Sequence, residues 1–304
     1  MSDCCGASRG SGVAGEPAPV EPAPQPRAGW IELPGGTFRM GSEAPYAWAA
    51  DGEGPEREVT LSPFGIAPTA VSNAEFAAFV DATGYVTEAE RFGWSFVFIG
   101  LLSRRTAERA TQGAAVAPWW RVVERASWRH PEGPDSTLRG RDRHPVVHVS
   151  HADALAYCGW AGCRLPTEAE WEFAARGGLE GARYPWGDDL EPWRCNIFQG
   201  SFPDRDTAED GFRGTAPVDA FEPNAYGLYN TIGNVWEWTA DWHTMRHAGR
   251  PRTDPAGPSF GEAKVTRGGS YLCHDSYCNR YRVSARSSMT PDSSTGNTGF
   301  RCAR

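Results

Sequence analysis

RLPTEAEWEFAARGG, residues 164–178, shows the scale on which this chain builds structure. Pro166 precedes a Thr167/Glu170 capping box, in which each side chain answers the other residue's backbone N–H. Trp171 and Ala174 then face inward, and Gly177-Gly178 stops the helix. Upstream, SNAEFAAFVDATG repeats the grammar, with a Ser72/Glu75 box, Phe76, Phe79 and Val80 on one face, and Gly84 as the stop. SHADALAYCGWAG begins a third helix at Ser150 and carries Cys158 on its Ala/Leu/Trp side.

Between and after these helices the signals are those of short strands and loops. WIELPGGTFRMGS (30–42) alternates apolar residues around a Pro-Gly-Gly turn and predicts a hairpin, and VTLSPFGIAPTAVS (59–72) predicts two further short strands. Beyond about residue 180 the chain is punctuated by Gly, Pro and Asn. With 35 Gly, 24 Pro and 36 aromatic residues in 304, the sequence specifies an α+β fold, irregular and low in secondary structure, with aromatic packing. Residues 1–28 are rich in Pro, Gly, Ala and Ser and read as a flexible tail, leaving 29–304 as a single domain.

A formal charge of −8 argues against a nucleic-acid partner. No apolar run approaches the roughly 18 residues of a membrane span. MSDCCGASRG lacks the apolar core of a secretion signal, so we expect no membrane and a cytoplasmic setting. The eight cysteines include no CxxC pair, which excludes a zinc ribbon and leaves cysteine chemistry local.

That chemistry centres on RGGSYLCHDSYCNRYRVSARSS, residues 267–288, where four residues separate Cys273 from Cys278. A disulfide can close so short a loop. Zinc lacks ligands, since only His274 is adjacent. Two thiolates suit a soft, low-coordination ion such as Cu(I), and Arg267, Arg280 and Arg282 would favour thiolates. Spacing leaves disulfide and copper both open. Residues 193–241 set acidic and amide side chains in irregular backbone, read either as Asx-turns on a solvated loop or as oxygen ligands for calcium. His144, His148 and His151 could converge on iron, but Pro145 and the valines read as a strand carrying ordinary packed histidines.

LPGGTFRMGS, HPVVHVS, RLPTEAEWEFAARGG, YPWGD, NIFQGSFP, AEDGFRGTAPVDAFEPNAYGLYNTIGNVWEWTADW and RGGSYLCHDSYCNRYRVSARSSMTPDSSTGNTGFRC together resemble the formylglycine-generating enzyme (sulfatase-modifying factor) family, bacterial type, from about residue 30 onward. The resemblance implies a fold related to C-type-lectin topology. It implies a monomeric oxidase that uses O2 and a thiol reductant to convert the cysteine of a CxPxR sequence, in an unfolded or nascent sulfatase, to Cα-formylglycine. Cys273 and Cys278 would hold Cu(I). Ser270, Trp236 and Asn297 would line the oxygen pocket, and Tyr271 and His274 would meet substrate. Two structural Ca2+ sites carry over: Asn196 and Asp210 with the Ile197 and Phe212 carbonyls, and Asn230 and Glu237 with the Gly233 and Val235 carbonyls. A family disulfide maps onto Cys158 and Cys302, with Cys163 and Cys195 extra. A second maps onto Ala175 and Val283 and is absent. Trp94 and Ala70 stand where vertebrate members have acidic residues gripping the substrate arginine. The tail itself reads Cys5-Gly6-Ala7-Ser8-Arg9, one residue from CxPxR, either by coincidence or as a segment able to enter an active site. Two rival readings are a calcium-stabilised lectin-like binding domain and an iron-dependent sulfoxide synthase, whose HxxxExH triad the chain lacks.

Overall fold

Local capping decides where the helices of this chain begin and end. The computed structural model describes residues 7–9, 29–247 and 249–304. Helices α1 (Asn73–Thr83), α2 (Glu88–Phe92), α4 (His151–Ala161) and α5 (Glu168–Arg176) each start at a reciprocal capping box and end at a left-handed glycine. Helix α3 (Arg104–Arg109) starts at Ser103, whose hydroxyl accepts from Thr106. Each such N-cap contributes about 1 kcal/mol, which is what helices of one to three turns need. The three helices read from sequence are present; α2 and α3 are additional. No helix among the described residues is long and apolar enough to cross a membrane.

The strands are short and paired over long distances. The central sheet runs in the order Arg286–Met289, Lys264–Arg267, Trp236–Trp242, Thr298–Phe300, and only its last pairing is parallel. The strand Trp94–Phe98 pairs with Ala117–Glu124 in a separate sheet. The expected hairpin at 30–42 is not formed. Ile31–Leu33 pairs with Phe64–Ile66, whereas Gly36–Met40 pairs with Arg57–Leu61. The Pro-Gly-Gly turn therefore passes the chain from one sheet to the next. Gly35, at φ +70°, lies so close to the Leu61 carbonyl that no side chain fits there. Residues 145–149 are likewise not a ladder strand: Pro145 makes one isolated bridge to Ser72, and His148 has φ 59°.

Helices α1 and α4 pack Phe76, Phe79, Tyr157 and Cys158 against Trp238 and Phe300 of the central sheet. A fully buried side chain of this size contributes on the order of 2–3 kcal/mol. Helix α5 covers the same sheet from another side, and Trp171 Nε1 donates to Glu237 at 2.7 Å. The loop over residues 268–285 joins two neighbouring antiparallel strands and carries the cysteine pair.

Candidate active site

Gly268 and Gly269, at φ +94° and +75°, turn the chain sharply out of the central sheet. A Cβ on Gly269 would meet the Arg280 carbonyl at 2.9 Å, so only glycine lets the two arms of the loop approach. That approach brings Cys273 and Cys278 together: both are buried, with Sγ atoms 3.6 Å apart. A disulfide holds its sulfurs near 2.05 Å, so the pair is not bonded. Soft donors at this spacing, in one cluster with Trp171, Tyr184, Trp236 and Tyr281, fit a soft, low-coordination ion. Copper is thus compatible with the residues present.

Beside the sulfurs lies a small buried polar set. Ser270 and Asn297 are fully buried. Asn297 Nδ2 donates to Ser270 Oγ at 2.8 Å, and the Ser270 N–H points to Cys273 Sγ at 3.4 Å. Trp236 donates its backbone N–H to the Asn297 carbonyl, while its indole N–H is buried with no acceptor. An orphaned buried donor costs about 1–3 kcal/mol unless something bound to the site accepts from it. Tyr271 is buried and its hydroxyl donates to the Gly296 carbonyl at 3.1 Å. His274 stands apart from the sulfurs' buried shell, hydrogen-bonded to Ser276 and edge-on to Phe198.

The arginines beside the cysteines are engaged by carboxylates. Arg280 pairs with Asp51 and Arg282 takes Glu53 bidentately at 2.6 Å. Arg267 pairs with Glu172 and reaches three carbonyls. All are fully buried, so each charge is spent on its carboxylate. The positive charge expected beside the thiols is thus shared with these carboxylates. Burial against these arginines still leaves the Glu168 carboxyl near 2, because Arg286 and Arg267 outweigh the desolvation.

The oxygen-rich loops divide. At the first predicted calcium set, Asn196 Oδ1 and Asp210 Oδ2 are buried oxygens without a donor, and the Phe212 N–H binds the other Asp210 oxygen. Burial, with Asp206 nearby, pushes the Asp210 carboxyl up to about 6. Such a set fits a hard cation with oxygen ligands, supplied together with the Ile197 and Phe212 carbonyls. At the second, Asn230 Oδ1 is orphaned in the same way, and Gly233 and Val235 sit in the adjoining turn. Glu237 does not fit there as expected: its carboxylate is held bidentately by Arg301, at 2.6 and 2.7 Å, and by Trp171.

His144, His148 and His151 do not converge. Their partners are Thr215, the Ser95–Pro131 pair and the Thr239 carbonyl respectively. The sulfurs of Cys158, Cys163 and Cys302 do converge, all within 4.8 Å of one another and none in a disulfide. Cys195 is buried, and desolvation raises its thiol well above the usual range. Ala70 is buried, whereas Trp94 is half-buried at the start of the strand Trp94–Phe98.

Trp94 was read from sequence as a lost acidic contact, yet a guanidinium is seated on it. Arg9 stacks over the rings of Trp94 and Phe92 at 4.5 and 4.6 Å. It donates to the carbonyls of Trp94 and Asp292, and its backbone N–H donates to Ser293 Oγ at 2.9 Å. Ala7 is buried among Phe96, Phe98, Trp120, Tyr271 and Leu272. Cys5 and Gly6, and the rest of the tail reading, lie outside the described residues.

Comparison with known proteins supplies the remaining context. Residues 16–304 match the model of the sulfatase-modifying factor enzyme 1-like domain. The chain is 62% identical over 284 residues to a formylglycine-generating enzyme of Thermomonospora curvata, covering 90% of this chain and 93% of that one. It is also 50% identical to an inactive C-alpha-formylglycine-generating enzyme 2 of Bos taurus, covering 90% and 87%. Overall identity alone thus does not separate active from inactive relatives, and the site must. Among solved structures, PvdO from Pseudomonas aeruginosa superposes with a TM-score of 0.66 at 26% identity, covering 96% of this chain and 99% of that one.

Proposed function

The chain belongs to the sulfatase-modifying factor family, and from that premise we propose that it oxidises the cysteine of a CxPxR sequence in sulfatases to Cα-formylglycine. The observation that carries the reading is the buried Cys273–Cys278 pair at 3.6 Å, next to the Ser270–Asn297 hydrogen bond. In balance, one cysteine side chain, one O2 and two reductant thiols give one aldehyde, one hydrogen sulfide, one disulfide and one water. Cys273 and Cys278 would hold Cu(I), which when bound would supply the one-electron chemistry that dioxygen needs.

The protein's own groups then have distinct tasks. Ser270 Oγ accepts from Asn297 Nδ2 and from the Leu272 N–H at 3.3 Å, so both lone pairs are used and its hydrogen is directed elsewhere. The Trp236 indole N–H is a second donor awaiting an acceptor. Two fixed donors in a dry pocket stabilise a reduced oxygen species more than water would. The aromatic shell keeps solvent from the reacting sulfur. Tyr271 and His274 stand on the loop where a substrate thiol would arrive. Calcium at the Asn196–Asp210 set would pin a loop that has few ladder bonds. We place the enzyme in the cytoplasm as a monomer acting on a nascent or unfolded sulfatase with a thiol reductant.

A CxPxR peptide incubated with the copper-loaded protein under air and a thiol tests this. Conversion of thiol to aldehyde by mass is the expected result; an unchanged peptide would return the chain to the non-catalytic readings.

A further inference from the structure

We propose that the N-terminal segment Ala7–Arg9 is a built-in ligand of the substrate groove, with Arg9 in the slot that reads the substrate's arginine. This inference rests on the cysteine-oxidising reading above and adds the recognition surface for its peptide.

The argument starts from the spacing of CxPxR. Specified residues at the first, third and fifth positions share one face of an extended chain, and the second and fourth point away. The described part of the tail has this alternation: Ala7 is buried, Ser8 is exposed and Arg9 is partly buried. Ala7 thus takes the place of the motif's proline and Arg9 that of its arginine. Ala7 contacts the cluster containing Tyr271 and Leu272, which directly precede Cys273 in the chain.

The slot is built for a guanidinium. Two aromatic faces and two carbonyls hold the planar cation without a salt bridge, and the Ser293 hydroxyl fixes the backbone beside it by accepting the Arg9 N–H. Carbonyls and rings thereby replace the acidic grip expected at Trp94. Burial lowers the Arg9 pKa to about 10, with Asp292, Glu88 and Asp153 acting the other way, so the guanidinium stays charged near neutrality. Alanine at position 7 also sets the strength of the contact. Proline would pre-set the extended backbone, so the tail is a weaker ligand than a true CxPxR segment and remains displaceable. Tethering compensates by giving the tail a high effective concentration.

The test uses the full-length protein, the variants Arg9→Ala and Ala7→Pro, and two probes: a CxPxR peptide for turnover and its Cys→Ser form, labelled, for binding. A groove occupied part of the time raises the apparent dissociation constant by the reciprocal of its open fraction. Arg9→Ala should therefore tighten binding of the inert peptide and lower KM about 3–10-fold with kcat unchanged. Ala7→Pro should shift both the other way. A synthetic peptide of residues 1–12 should inhibit Arg9→Ala competitively. Equal binding and equal KM in all three proteins, with turnover intact, would overturn the docking alone. Tight binding of the inert peptide with no oxidation by any of them would instead overturn the enzymatic reading.

Discussion

Asn297 donates from Nδ2 to Ser270 Oγ at 2.8 Å, across 27 residues of sequence and wholly out of solvent. The bond fixes the serine rotor, because the other lone pair is already taken by the Leu272 N–H. Ser270→Ala removes the donor and should lower kcat about 10–100-fold, somewhat less than loss of a full oxyanion donor, with peptide KM nearly unchanged. Asn297→Ala should fall in the same range through the misdirected hydroxyl, and the double variant should be no worse than Ser270→Ala. Steady-state kinetics on a CxPxR peptide decides; multiplicative losses would show that the two act separately.

Cys273→Ser and Cys278→Ser should each abolish turnover and anaerobic Cu(I) binding while leaving the far-UV signal in place. The sulfurs lie in a cluster already closed by Trp171, Trp236 and Tyr281, and a serine there removes little volume. Copper titration with thiol counting provides the check. Wild-type rates in either variant would mean the metal is not held by two sulfurs.

Asp210 Oδ2 and Asn196 Oδ1 are buried without a donor, so calcium should raise the thermal midpoint of the chelator-treated protein. At calcium a hundredfold above its dissociation constant the gain is about 2.7 kcal/mol. Asp210→Ala should lose most of that response. A calcium response of wild-type size in Asp210→Ala would place the cation elsewhere.

What the sequence made legible follows the range of the interaction. The caps at Ser72, Ser150 and Thr167 are built from residues three apart, and each was readable and is present. The hairpin at 30–42 failed because its pairing partners come from residues 57–66. The arginines of residues 267–282 suggested free positive charge, since Asp51 and Glu53 lie 229 residues away from Arg280 and Arg282. Cys273 and Cys278 stood out because five residues of chain already bring their sulfurs close. The slot for Arg9 had no signal, being made of carbonyls and ring faces that any sequence could supply.

His151 should make stability fall with acidity. Burial holds its folded pKa at about 3, against 6.5 unperturbed, and Nε2–H donates to the Thr239 carbonyl. The folded state therefore binds fewer protons than the unfolded one, so this contribution is complete above pH 6.5 and is lost as pH falls toward 3. At pH 5 the loss is about 2 kcal/mol, from 1.5 units at 1.36 kcal/mol each. Asp153 and Asp241, raised to about 6 by burial, oppose it below that pH. The comparison must therefore be between wild type and His151→Gln, which lacks the titration but can keep the bond. Denaturant unfolding at pH 7 and pH 5 should show wild type losing about 2 kcal/mol more than the variant; equal losses would mean the imidazole is not buried neutral.

The three sulfurs of Cys158, Cys163 and Cys302 can form only one bridge among themselves. All lie within 4.8 Å of one another, and Cys158 lies within the last turn of α4 with its thiol raised well above the usual range by burial and by its two neighbours. Helix α4 and the C-terminal segment share one core through this contact, so a Cys158–Cys302 link would join elements 144 residues apart. A loop of that length is worth up to about 4–5 kcal/mol in the chain-entropy model. A Cys158–Cys163 link closes a short loop and should add far less. Mild oxidation followed by alkylation and peptide mapping should leave one of the three sulfurs alkylated. Cys163→Ser should raise the oxidised midpoint by removing the short competitor. If all three still alkylate after oxidation, or if Cys163→Ser lowers the midpoint, the long bridge is not the one the fold favours.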